Sequence, residues 1–169
     1  IYLLIGTYTS GSSEGIYIYK FNLLTGDSEF VSSAKVENPS YLTISNNKYV
    51  YAVSENKDNN ACVSSFAFDS SKGSLTLLNT EKTDGASPCY IAVDKKNQII
   101  ATANYRGGSI SIFGIPNDGS LSSVRQVIEF SGAGPDPDRQ TQSHLHCVRF
   151  SPDVKYLFAP DLGTDASYR

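Results

Sequence analysis

Apolar and polar residues alternate with period two along much of the chain. Tyr17-Ile18-Tyr19-Lys20-Phe21, Val63-Ser64-Ser65-Phe66-Ala67-Phe68 and Ile110-Ser111-Ile112-Phe113 are rich in aromatic and β-branched residues and predict strands. Between such runs lie Leu24-Thr25-Gly26-Asp27, Ser70-Ser71-Lys72-Gly73 and Pro116-Asn117-Asp118-Gly119, clusters of turn-forming residues. No window carries a helical apolar period with caps, so the pattern predicts an all-β chain.

The pattern also repeats. Pro39-Ser40-Tyr41-Leu42-Thr43-Ile44-Ser45, Pro88-Cys89-Tyr90-Ile91-Ala92-Val93-Asp94 and Leu145-His146-Cys147-Val148-Arg149-Phe150-Ser151 align. Each is followed by a polar turn and a second apolar run: Tyr49 to Val53, Ile99 to Ala103 and Tyr156 to Pro160. A loop, a third strand, a turn near Gly26, Gly73 or Gly119 and a fourth strand complete the unit. Four strands recurring at a period of roughly 50 residues predict the blades of a propeller rather than a sandwich.

Tyr2-Leu3-Leu4-Ile5-Gly6-Thr7-Tyr8 aligns with Ile99-Ile100-Ala101-Thr102-Ala103-Asn104-Tyr105, which places the first residues on the second strand of a blade. The expected division is a blade remainder over 1–38, blades over 39–87 and 88–143, and the start of another over 144–169. That gives about thirteen strands, the last ending near Asp161. A closed propeller of six to eight such blades needs roughly 300–400 residues. The expectation is therefore a β-propeller of four-stranded antiparallel blades, of which this chain covers about half.

Composition narrows the partners. With 14 Lys+Arg against 17 Asp+Glu and a net charge of -3, no basic excess points to nucleic acid. No apolar run approaches the ~20 residues of a membrane-spanning helix. The chain starts at Ile1 and contains no Met, so an upstream segment, a secretion signal included, stays open. Cys62, Cys89 and Cys147 form no Cys-x-x-Cys pair, and free thiols in a reducing, cytoplasmic compartment are the simplest reading. One disulfide plus one free thiol is the alternative, and nothing here sets the oligomeric state.

Within a blade the strands alternate in direction, so the second-to-third loops and the loops linking successive blades meet at one mouth of the channel. The first set holds Tyr8-Thr9-Ser10, Glu55-Asn56-Lys57, Asn104-Tyr105-Arg106-Gly107-Gly108 and Asp161-Leu162-Gly163-Thr164-Asp165. The second holds Asp84-Gly85-Ala86-Ser87 and the long stretch from Ser131 to Ser143, which carries Arg139 and Gln140. Both histidines, His144 and His146, follow that stretch, and in extended backbone they point the same way. The repeat aligns His146 with Ser40 and Cys89, so an imidazole stands where the other blades have a small residue.

Other readings stand beside this one. The His-x-His pair could be two surface imidazoles, or half a metal site with Asp161 or Glu55 as a further ligand. Arg139 could be a solvated loop charge. Asp153, Asp161 and Asp165 suit turn caps, and Arg106-Gly107-Gly108 suits a tight strand connection. No Gly-x-Ser-x-Gly elbow is present, and no spacing implies a serine triad.

Several short motifs run through the chain: Gly6-Thr7-Tyr8-Thr9, Asn38-Pro39-Ser40-Tyr41-Leu42 and Tyr51-Ala52-Val53-Ser54-Glu55. Asn104-Tyr105-x-Gly107-Gly108-Ser109, Gly134-Pro135 with Arg139-Gln140, His144-x-His146, Ser151-Pro152-Asp153 and Asp161-Leu162-Gly163-x-Asp165 follow. In these motifs and their order the chain resembles the seven-bladed β-propeller lactonases, a family that includes bacterial propeller-type 6-phosphogluconolactonases and related fungal muconate cycloisomerases. The resemblance implies hydrolysis of a sugar lactone at the channel mouth; because a lactone is already electrophilic, that chemistry demands no metal, and no cofactor is expected. It assigns His146, His144, Arg139 and Glu55 to catalysis, and Gln140, Tyr105, Asn104 and Asp161 to a small-molecule lactone or sugar-acid substrate. His146 would be the base. Two departures stand out: Ser143 before the first histidine, and Val154 where the turn after Ser151-Pro152-Asp153 usually has glycine. The alternatives are lactonisation or isomerisation of a carboxylic acid, a metal-dependent lactonase, and a non-catalytic binding propeller.

Overall fold

The computed structural model describes residues 1–58 and 60–169, among which there are fourteen strands and no helix. The first sheet holds β1 (Tyr2–Gly6), β2 (Gly15–Phe21) and β3 (Ser28–Lys35). The second holds β4 (Leu42–Ser45), β5 (Tyr49–Ser54), β6 (Cys62–Asp69) and β7 (Ser74–Lys82). β8 (Pro88–Val93), β9 (Ile99–Asn104), β10 (Ser109–Gly114) and β11 (Gln126–Glu129) form the third, and β12 (Arg149–Phe150), β13 (Leu157–Asp161) and β14 (Ala166–Tyr168) the last. Each sheet pairs its strands antiparallel in chain order, as propeller blades do.

The apolar runs of β5 and β9 follow from burial on both faces. Val50 and Ala52 of β5 pack with Ile16, Ile18 and Phe66 between the first two sheets. Tyr51 and Val53, one residue out of phase, pack with Ile91, Ile100 and Phe113 between the second and third. Ala101 and Ala103 of β9 then meet Leu145, Val148 and Ala159 between the third and last. Period two thus divides each central strand between two cores. The outer faces of the end sheets stay open: Leu3 and Ile5 on β1 and Phe158 on β13 are 38%, 40% and 41% exposed.

One strand was not expected. β14 pairs with β13, Ala166 lying opposite Asp161, through a turn in which Asp165 has a φ of 53°. Ala166-Ser167-Tyr168 is too short for its alternation to register in the sequence.

The turns that end the inner strands follow one plan, in which Asn97 N–H donates to Asp94 O and Val154 N–H to Ser151 O. Asn97 and Val154 hold the left-handed conformation, with φ of 55° and 59°. Asn tolerates that region, whereas a β-branched residue is strained there. Val154→Gly is therefore expected to stabilise the chain by about 1 kcal/mol, the left-handed cost of ~1–2 kcal/mol less the ~0.5–1 kcal/mol entropy cost of glycine. The denaturation midpoint reads this directly, and an unchanged or lowered midpoint would show that the turn relaxes around Val154.

Candidate active site

The mouth is built from the same backbone positions in successive blades. A residue on the run into each inner strand accepts from the loop that follows the second strand: Glu55 N–H donates to Asn38 O, Tyr105 N–H to Ser87 O and Leu162 N–H to His144 O. Asn38, Ser87 and His144 therefore occupy one set of equivalent positions, and Glu55, Tyr105 and Leu162 another. Bonds from Ser87 N–H to Asn56 O (2.8 Å) and from the Asn38 side-chain amide to Asn56 Oδ1 (2.8 Å) tie the connections at both ends of one blade to the loop between its second and third strands. Repetition makes the frame, and the side chains placed on it differ.

Tyr105 is the centre of this arrangement. Its ring stacks on His144 at 4.4 Å between centroids and 12° between planes, and meets the His146 ring edge-on at 5.7 Å. His144 Nδ1 lies 3.0 Å from the Tyr105 carbonyl oxygen. A carbonyl only accepts, so the proton sits on Nδ1 and the lone pair on Nε2. Leu145, fully buried between the two histidines, keeps both imidazoles on the mouth side. His146 is exposed and His144 half-buried.

Tyr105 also lines a cleft of about 510 Å³ with Tyr8, Ser10, Asn38, Glu55, Lys57, Ser87 and Arg106. Tyr8 donates its hydroxyl to Glu55 Oε2 at 2.8 Å. That hydrogen bond, then burial and the Glu55 charge, push the Tyr8 hydroxyl above its ordinary range, so Tyr8 remains a donor. Cys89, equivalent to His146, is pushed up to about 12 by burial first and then by Glu55. Its Sγ approaches the carbonyl oxygens of Ala103, Leu145 and His146 at 3.7–3.8 Å. A neutral, enclosed thiol is no nucleophile.

Of the residues expected at the site, Tyr105 and Glu55 line the cleft, and His144 and His146 pack against the Tyr105 ring beside it. Four others do not reach the cleft. Asn104 is fully buried; its amide donates to Ser109 Oγ and Ser111 Oγ, and its Oδ1 accepts from Thr102. With both ends engaged, it holds β9 to β10 rather than a substrate. Gln140 is 7% exposed, its Nε2 donating to Leu162 O and Asp165 Oδ1 while its Oε1 accepts from Asp136 N–H. Arg139 sits on the exposed loop, its N–H bonded to Asp136 Oδ1, and is absent from the cleft wall.

Asp161 is 3% exposed and accepts from Ser143 Oγ (2.6 Å), His144 N–H (2.6 Å), Gly163 N–H (2.8 Å) and Thr164 Oγ1 (2.8 Å). Burial opposes its ionisation, but these donors outweigh burial and hold the carboxyl below the ordinary range. It anchors the His-x-His segment. Ser143, the departure noted above, is thereby a ligand of Asp161. Among the described residues no cluster of three or more His, Cys, Asp and Glu side chains is disposed to hold a metal. Lys57, Arg106 and Tyr8 are the contributors that sequence reasoning passed over. Their positions follow from the repeat, in which Tyr8 aligns with Tyr105.

Comparison with known proteins agrees with this architecture. The 6-phosphogluconolactonase of Bacillus subtilis is 40% identical over 97% of this chain, which covers 47% of that protein. A crystal structure from Bacteroides fragilis superposes with a TM-score of 0.94 at 56% identity, over 97% of this chain and 46% of the other. The periplasmic gluconolactonase of Pseudomonas aeruginosa gives a TM-score of 0.91 at 35% identity, over 98% of this chain and 48% of the other. This chain thus spans about half the length of the relatives it matches. The model of the family described as lactonase, 7-bladed beta-propeller, matches residues 2–168, and the chain belongs to that family.

Proposed function

We propose that the mouth formed by these blades carries the catalytic face of a sugar-lactone hydrolase, with 6-phosphogluconolactone as substrate. The observation that carries this reading is the Tyr105 hub, whose ring packs against both histidines while lining a cleft that also contains a carboxylate. The names of the Bacillus subtilis and Pseudomonas aeruginosa relatives support the same chemistry. In the whole protein, further blades cover the apolar outer faces of the end sheets. The three cysteines, none of them paired, suit a reducing, cytoplasmic setting.

A lactone carbonyl is already electrophilic, so the task is to deprotonate water and stabilise the oxyanion. His146 accepts the water proton as the new C–O bond forms. When the tetrahedral intermediate collapses, the ring C–O bond breaks and the leaving alkoxide takes the proton back from the imidazolium. His144 Nε2, its lone pair fixed by the Nδ1 bond, accepts from a substrate hydroxyl. Glu55, oriented by Tyr8, accepts from another.

The test is hydrolysis of 6-phosphogluconolactone by the full-length protein, followed as acid release above the spontaneous rate. Turnover well above that background is expected. Activity confined to isomerising muconate-type acids would transfer the site to the related reaction, and inactivity on both would remove the enzymatic reading.

A further inference from the structure

The electrostatics of the cleft run opposite to those of the chain. Overall the protein has a net charge of -3. The cleft, however, is lined by two cations, Lys57 and Arg106, and one carboxylate, Glu55. Glu55 is already engaged by the Tyr8 hydroxyl. Among the described residues, the only ion pairs are Lys72–Asp69 and Lys155–Asp153, so neither cleft cation is paired. An unpaired Arg and Lys facing one concave wall make an anion site.

The backbone under Arg106 is fixed while its head is free. Tyr105 N–H donates to Ser87 O, Gly107 N–H to Ala86 O, and Gln142 Nε2 to Arg106 O at 3.0 Å. Gly107 is required for this close approach, because a Cβ there would stand 2.8 Å from Ala86 N. The connection that reads in sequence as a tight turn is thus a fixed mount for Arg106, which lines the same cleft as Lys57 of the preceding blade.

We propose that Lys57 and Arg106 form an anion subsite that takes the phosphate monoester of the substrate and sets the preference for phosphorylated over neutral lactones. This rests on the lactonase reading and adds its specificity determinant. The planar guanidinium pairs with two phosphate oxygens and the ammonium neutralises the remaining charge. The sugar hydroxyls then lie toward Glu55 and Tyr8, and the lactone carbonyl toward the histidines. Arg139, off the cleft wall, takes no part.

The test compares kcat/KM for 6-phosphogluconolactone with that for unphosphorylated gluconolactone in the full-length protein. Lys57→Gln and Arg106→Gln change exposed side chains, so the fold persists. Each is expected to lower the phosphorylated-to-neutral ratio by roughly 10- to 100-fold, while Lys72→Gln, on the β6–β7 turn, leaves it unchanged. A ratio unchanged in both cleft variants overturns the subsite while leaving the lactonase reading intact. Calorimetric binding of 6-phosphogluconate gives an answer without turnover. Weakened binding in the variants supports the subsite even if no lactone is hydrolysed, and equal binding by wild type and variants overturns it.

Discussion

Asp161→Ala is expected to destabilise the fold by about 4 kcal/mol and to abolish activity with it. The substitution leaves the N–H groups of His144 and Gly163 and the hydroxyls of Ser143 and Thr164 without their shared acceptor. At a position only 3% exposed, water cannot replace the carboxylate without opening the loop. Each orphaned buried donor costs about 1–3 kcal/mol, with partial relaxation reducing the sum. Gly163 adds to the constraint, since a Cβ there would fall on the Gln142 carbonyl, so the loop cannot shift inward. Asp161→Asn keeps the size but turns an amide NH2 toward donors, and about half the loss is expected. The carboxyl of Asp161 is held below its ordinary range in the folded state. A lowered folded pKa stabilises above the unfolded value and is lost as pH falls through the folded one. The gap between wild type and Asp161→Ala, read from denaturant midpoints, should therefore be full at neutral pH and shrink in strong acid. A gap below about 1 kcal/mol at neutral pH would show that the anchor is dispensable.

How much of this was legible in the sequence depends on what each signal reports. The propeller was legible because one unit recurs: Pro39, Pro88 and Leu145 head equivalent inner strands, and the matched apolar runs become β5, β9 and β13. β14 escaped because three residues carry no periodicity. The site was legible only where a side chain broke the repeat, as His146 does against Ser40 and Cys89. Polar residues near the mouth are ambiguous in sequence, because the same types face ligand or tie loops together. Burial separates them: Asn104, Gln140 and Asp161 spend their hydrogen bonds on the frame, whereas Glu55 and Tyr105 border the cleft. Lys57 and Arg106 were passed over for the converse reason. The repeat places their loops at the mouth, yet a lone Lys or Arg on a polar loop reads as a solvated charge until the adjacent blades bring the two to one wall.

His146→Ala should lower kcat in the full-length protein by about 10²–10⁴-fold, the usual contribution of a positioned general base. KM should change little, because the ring acts on water rather than on the bound sugar. His144→Ala should show the opposite split, raising KM more than it lowers kcat. The two imidazoles are placed to differ in this way. His144 has one face covered by Tyr105 and its Nδ1 committed to the Tyr105 carbonyl, so its remaining nitrogen is a fixed acceptor. His146 lies edge-to-face with the same ring rather than stacked on it and is open to solvent, where a water can reach it. Tyr105→Leu separates the roles further. It removes the stacking surface for His144 while retaining the backbone carbonyl, so KM should rise and kcat fall far less than in His146→Ala. If His144→Ala takes the large kcat loss and His146→Ala leaves kcat near wild type, the pinned imidazole is the base and the exposed one a bystander. The pair would then work as a single oriented histidine, held by Tyr105 beside the cleft.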